Sequence, residues 1–244
     1  MNNIDRGTQL RDDILYYLHN IYDDVTHPAL AQDFNDDLGQ VANALISALA
    51  LDGLQQQFEP RPHQNHWDET RIMMISYADS IFDETHPPLQ VLHHFLNTHL
   101  ADVVTDVHLL PFYPYSSDDG FSVIDYSTVN PAHGDWRDIN QLSREYNLMF
   151  DLVINHCSAR SQWFTNFIAG SGKGHDFFMT ASPEDDTSMV TRPRVSPLLK
   201  PTETSHGLQH VWCTFSHDQV DFDFTNPNVL IEFARIINLY LENG

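Results

Sequence analysis

Three observations predict an α/β chain built around a parallel sheet. Short, mostly continuous apolar runs occur at 71–77, 103–110 and 148–154; stretches of helical periodicity separate them at 89–100 and about 135–146; and the second run ends at Pro111 before a long loop. Strands covered on both faces read as unbroken apolar runs, and parallel neighbours need a crossover helix between them. The expected class is therefore α/β, with its sheet covered on both faces.

The elements follow in order. Leu10, Ile14, Tyr17, Leu18 and Ile21 recur at helical spacing, as do Leu38, Val41, Ala42, Leu45 and Leu49 after the acidic pair Asp36-Asp37, so 1–65 reads as a helical extension. Pro60, Pro62, His63 and His66 break that periodicity and mark a linker over 55–68. The βα-alternating part spans 66–155. Over 156–223 the rhythm stops: one short helix near 163–168, a glycine-rich turn, a proline-rich tract over 193–201 and a strand-like 209–215 form an excursion of the kind that carries function. A last helix at 224–244 has Asn226 as N-cap and Pro227 in its first turn, with Val229, Phe233, Ile236, Ile237 and Tyr240 on one face, and reads as returning to the sheet. Three strand–helix pairs fit a small open sheet or the front of a larger one, and periodicity leaves both open.

Composition excludes several classes. Twelve Lys and Arg against 34 Asp and Glu give a net charge of −22, which argues against nucleic acid and anionic membranes as partners. With 41 % hydrophobic and 11 % aromatic residues the chain is too apolar to be disordered. No run approaches the roughly 20 apolar residues of a membrane span, and the first residues lack a secretory pattern, so a cytoplasmic address is expected, with Cys157 and Cys213 reduced.

Two tracts carry chemistry. Residues 106–126 form a strand followed by a loop crowded with aromatics, carboxylates and Gly120, at the strand end where parallel α/β folds bind ligands. Aromatic faces suit sugar rings and carboxylates accept from sugar hydroxyls; a decorated surface loop with Asp118 and Asp119 as turn formers fits the composition equally well. Residues 149–158 end a second strand in Asn155-His156, where His156 reads either as a structural histidine or as a group facing the same sheet end. Two other patterns fail. Gly170-Ser171-Gly172-Lys173-Gly174 lacks the phosphate-loop spacing, and His206, His210, Cys213 and His217 lie on a strand-like run that alternates faces, so neither a nucleotide nor a metal cofactor is expected.

The pieces Tyr77-Ala78-Asp79, His108 to Phe112, Asp118-Asp119-Gly120-Phe121, Asp151 to His156, Arg192-Pro193-Arg194 and Val211 to Phe215 with Gln219-Val220-Asp221 occur here in the order they have in the sucrose phosphorylase group of the α-amylase superfamily. Across essentially all 244 residues the chain resembles the N-terminal part of such a protein, most like the glucosylglycerate phosphorylases in its 116–126 loop and Thr191-Arg192-Pro193-Arg194 tract. The resemblance implies the first three strands of a (β/α)8 barrel, a small B domain as the excursion, and retaining double displacement with phosphate as acceptor. It implies that Asp118 binds outer hydroxyls of a glucosyl ring and His156 its 6-hydroxyl side. Phe121 and Phe215 would line the same subsite with Gln219 nearby, and Arg194 would face an acceptor anion, phosphate or glycerate. Sucrose phosphorylases carry an aromatic residue where this chain has Thr191. The family's nucleophilic Asp and acid-base Glu belong to strands four and five, past residue 244, so the chain alone is expected to be inactive. Carbohydrate and phosphate are the expected partners; a separate chain carrying the remaining strands, a frameshift and an incomplete sequence stay open as alternatives. A non-catalytic carbohydrate-binding remnant and an amylase-type hydrolase are the competing expectations.

Overall fold

The structure, a computed structural model, describes residues 6–51, 68–192 and 194–244. The linker read at Pro60, Pro62, His63 and His66 lies outside the described residues. Contacts divide the chain into two compact units, 1–64 with 223–239, and 65–222 with 240–244.

The first unit is helical: α1 (Arg6–Tyr22), α2 (Pro28–Phe34), α3 (Leu38–Ala48) and most of the last helix, α7 (Pro227–Asn243). His27 caps α2 by accepting from the Ala29 amide at 3.1 Å, and Asp37 caps α3 by accepting from Gly39 at 2.8 Å, which supplies partners to amides that the helix itself leaves open. The α1 stripe that is buried runs through Leu18 and Tyr22, with Ile14 partly buried, whereas Tyr17 and Ile21 face outward. Ile231 and Ala234 of α7 share this core with Leu18, Val41, Ala42 and Leu45. Residues 224–244, read from the sequence as one helix returning to the sheet, therefore divide: up to Leu239 they group with the N-terminal helices, and only 240–244 group with the sheet unit. An amphipathic period shows that a helix has an apolar face without saying which apolar surface receives it.

In the second unit β1 (Met73–Ser76), β2 (Asp106–Leu109) and β3 (Asn147–Phe150) form a parallel sheet in the order β1-β2-β3, with Ile75, His108 and Met149 in one cross-strand row. The crossovers are α4 (Pro88–His99) and α5 (Trp136–Leu142). Val107 and Leu109 on one sheet face are fully buried, as are Leu89, Leu92 and Leu96 of α4 and Ile139 and Leu142 of α5. The opposite row is open: Ile75 is 62 % and Met149 41 % exposed. The expectation of cover on both faces is thus met on one face only among the described residues, because an apolar run records suitability for burial and the cover has to come from other segments.

The excursion begins with β4 (His156–Ser158), followed by α6 (Gln162–Ala169), the hairpin β5 (Leu199–Thr204) and β6 (Gly207–Trp212), and β7 (Gln219–Asp221), which pairs antiparallel with β4. Part of the proline-rich tract is a strand: Pro201 lies in β5 opposite His210, tolerated because among the described residues β5 pairs on one side only. Both cysteines are free and buried, and burial pushes each thiol up to about 12.

Candidate functional site

Beyond β2 the chain turns inward before it reaches the surface. Phe112 and Tyr113 are fully buried, and Tyr113 stacks on Tyr240 with ring centroids 5.1 Å apart. Tyr126 is buried too, and its hydroxyl lies 2.8 Å from the Val153 carbonyl and 2.7 Å from that of His156, donating to this pair of strand-end acceptors. Most of the aromatics that suggested a sugar platform are therefore core, while Phe121 remains half-buried at the loop's outer end.

The loop tip is conformationally expensive. Asp118 and Asp119 have φ of 58° and 49°, and Gly120 has 105°. Left-handed backbone costs a side-chain-bearing residue about 1–3 kcal/mol where its surroundings impose it. At Gly120 a Cβ would lie 2.6 Å from the Pro111 carbonyl oxygen, so this glycine is required by space as well as by φ.

That tip meets β4 and β7. The antiparallel register sets Ser158 opposite Gln219 and His156 opposite Asp221, so His156 and Gln219 come from adjacent strands. The buried Gln219 amide donates to Asp118 Oδ2 at 2.9 Å, and its oxygen accepts from the Ser216 hydroxyl at 3.0 Å. His156 Nε2 lies 2.9 Å from the Phe121 carbonyl and 3.1 Å from the Gln219 amide nitrogen. A carbonyl only accepts, so the network assigns the proton to Nε2, donating to Phe121, and leaves Nδ1 facing Asn155 Nδ2. Burial lowers the His156 pKa, against the opposing pull of the Phe121 carbonyl, Asp221 and Asp118, so the ring is held in its neutral form. The Phe215 ring packs 5.0 Å from it, centroid to centroid. Four of the sequence-predicted residues, Asp118, His156, Phe215 and Gln219, are thus in one contact chain, which Phe121 joins through its carbonyl.

Arg194 is not part of that chain; it stands exposed on the segment before β5. Arg192 is half-buried and donates to the carbonyl and hydroxyl of Ser196, so the arginine pair divides into one engaged and one outward-facing cation.

Several polar residues around the site stand in the sequence motifs without a role assigned to them there. The Asp221 carboxylate accepts from the Thr214 amide at 3.1 Å and from the Thr214 hydroxyl and is raised by burial. His108 Nε2 pairs with Asp151 at 2.9 Å. The Tyr77 phenol is raised, first by burial and then by the charges of Asp119, Asp118, Asp151 and Asp79. Shared position is the signal for Tyr77 and Asp151, each of which directly follows the C-terminal end of a parallel strand. Among the described residues no group of three or more His, Cys, Asp or Glu is arranged to hold a metal ion, and no helix is long and apolar enough to cross a membrane.

Comparison with known proteins follows this geometry. Residues 100–244 match the alpha-amylase catalytic domain. The chain is 40 % identical over 222 residues to a glucosylglycerate phosphorylase of Escherichia coli K12, covering 88 % of this chain and 40 % of that protein. It is 32 % identical over 176 residues to a sucrose phosphorylase of Streptococcus mutans, covering 68 % of this chain and 36 % of that one. Among solved structures it is similar to the sucrose 6F-phosphate phosphorylase of Thermoanaerobacter thermosaccharolyticum, with a TM-score of 0.64 at 27 % identity, over 72 % of this chain and 38 % of that one. The chain thus spans about two fifths of the length of these relatives, and its three parallel strands correspond to part of their barrel. The chain belongs to the alpha-amylase family.

Proposed function

We propose that this chain carries the glucosyl-binding half of a cytoplasmic glycoside phosphorylase, which moves a glucosyl group from glucosylglycerate or a sucrose-like α-glucoside to inorganic phosphate with retention of configuration. The observation that carries this reading is the convergence of Asp118, Gln219 and His156, with Gln219 donating to Asp118 and His156 to the Phe121 carbonyl. It presents one exposed carboxylate, oriented by a buried amide beside an imidazole against which the half-buried Phe215 ring packs. Such a surface accepts from vicinal hydroxyls and covers the apolar face of a ring. Asp118 binds outer hydroxyls of the glucosyl ring, His156 faces its 6-hydroxyl, Phe121 and Phe215 line the subsite, and Gln219 orients Asp118.

Retention requires two displacements: a carboxylate attacks the anomeric carbon while an acid protonates the leaving oxygen, and phosphate then displaces the enzyme. Neither carboxylate is assigned to a residue of this chain, since Asp118 is committed to Gln219 and to ring hydroxyls. Both are assigned to barrel strands outside these 244 residues. Arg194 is assigned to the acceptor, because an exposed guanidinium matches phosphate or a carboxylate by paired hydrogen bonds, whereas water, the acceptor in hydrolysis, gives it no task.

Purified protein of 244 residues, given glucosylglycerate and phosphate, is expected to release no glucose 1-phosphate. Sustained release would put the catalytic carboxylates inside this chain and overturn that assignment. Saturation-transfer NMR with glucosylglycerate tests the sugar site itself: Asp118→Asn should weaken contact to the glucosyl protons, and an unchanged signal would contradict the role given to Asp118.

A further inference from the structure

Asp118 and Gln219 are 101 residues apart in sequence, and their contact requires two separate segments to be fastened together. The fastening runs through the neighbouring Asp218. Its carboxylate Oδ2 accepts from the hydroxyls of Ser116 at 2.6 Å, Ser117 at 2.5 Å and Ser122 at 3.1 Å. The Ser116 hydroxyl also meets Ser158 Oγ, at 2.6 Å, and Ser158 lies opposite Gln219 in the β4–β7 register. The Asp218 carbonyl accepts from the Ala159 amide at 2.8 Å. One residue therefore ties the left-handed loop tip and the turn after β4 to β7, through hydroxyls of which Ser122 and Ser158 are fully buried.

The arrangement has the chemistry of a clamp. A carboxylate is acceptor-only and its bonds to hydroxyls are charge-assisted, so three donors on one oxygen hold better than neutral pairs would. Burial by itself raises the Asp218 carboxyl, yet the three hydroxyls and the charge of Arg160 outweigh it and hold the group below the usual carboxylate range. The clamp also closes the loop whose tip carries the positive-φ residues Asp118 and Asp119, the part of the site least able to hold its own shape.

We propose that Asp218 is a positioning residue for the sugar site: its carboxylate fastens the loop carrying Asp118 and Phe121 to the strand carrying Gln219, so that these groups hold their mutual geometry before a ligand arrives. The fastening is independent of which ligand binds, and only its use for a glucosyl ring rests on the function proposed above.

The test uses the 15N-labelled full chain and two readouts, the Gln219 side-chain amide resonances and hydrogen exchange at the Phe121, Ser122 and Ile124 amides. In Asp218→Ala the Gln219 amide should move to the position of a free primary amide and the three loop amides should exchange about tenfold faster, while those of Val107 to Leu109 stay as in the parent. Asp218→Asn, whose amide oxygen still accepts one hydroxyl, should fall between. An unmoved Gln219 amide with unaltered loop exchange overturns the proposal, and so does loosening shared equally by β2, which would make Asp218 a general stabiliser. If Asp218→Ala does not fold, the double variant Ser116→Ala/Ser117→Ala removes two donors and keeps the carboxylate; the loop should again loosen selectively, and failure to do so counts against the clamp. Added glucosylglycerate separates the two readings: a clamp confirmed by exchange in a protein whose Gln219 amide ignores the sugar leaves Asp218 in its role and removes the glycoside.

Discussion

Gly120 concentrates the demands of the loop in one residue, with φ of 105° and the Pro111 carbonyl oxygen 2.6 Å from where a Cβ would stand. Gly120→Ala is expected to lower stability by about 1–3 kcal/mol, measured by urea unfolding, since both the backbone region and the space are closed to alanine. His156 makes a pH-dependent prediction. Burial depresses its folded-state pKa, so above the ordinary histidine value the ring is neutral in both states and costs nothing. As pH falls through that value the unfolded chain gains a proton that the folded chain refuses, and stability is lost until the folded-state value is passed. Parent protein should lose more stability than His156→Asn between about pH 7.5 and about pH 5.5, and equal losses would show that the ring protonates freely in place.

Short elements do much of the positioning. β4 and β7 contribute three residues each, yet their register alone sets His156 and Asp221, and Ser158 and Gln219, side by side. Tyr126 anchors the end of that ladder by directing its hydroxyl at the Val153 and His156 carbonyls from a buried position. Tyr126→Phe should cost about 1–3 kcal/mol, the range for leaving buried acceptors unpaired, with urea unfolding as the measure. On the sheet's helical side, Asp135 caps α5 by accepting from the Arg137 amide at 2.8 Å, while Asp138 accepts from the Asp135 amide at 2.9 Å. Asp135→Ala removes one half of this capping box, and a thermal scan should register a lower unfolding midpoint.

At the scale of the sheet unit the two faces differ in what they hold. Leu109 is fully buried, whereas Ile75 lies in the open row with Met149. Leu109→Ala should cost about 2–5 kcal/mol through lost burial and a cavity, and Ile75→Ser within about 0.5 kcal/mol, when unfolding of the chain is followed in urea. A large cost at Ile75 would mean that the open face is covered in solution. The same open row explains why the expectation of a doubly covered sheet was half right: residue types showed which surfaces avoid water, while cover depends on segments far away in sequence.

The resemblance to a known family supplied Asp118, Phe121, His156, Phe215 and Gln219 as candidates, whereas apolar periods and helix-start residues such as Asn226 and Pro227 determined the α/β class and the three parallel strands. Those signals are local, set by backbone period and by residue types within a few positions of each other. Only the tertiary structure decided that Phe112, Tyr113 and Tyr126 are core and not a sugar platform, that Arg192 is engaged by Ser196 while Arg194 faces outward, and that Asp218 joins three serines. Each of these depends on which distant segment arrives at hydrogen-bond distance, and a one-dimensional pattern of residue types carries no record of that.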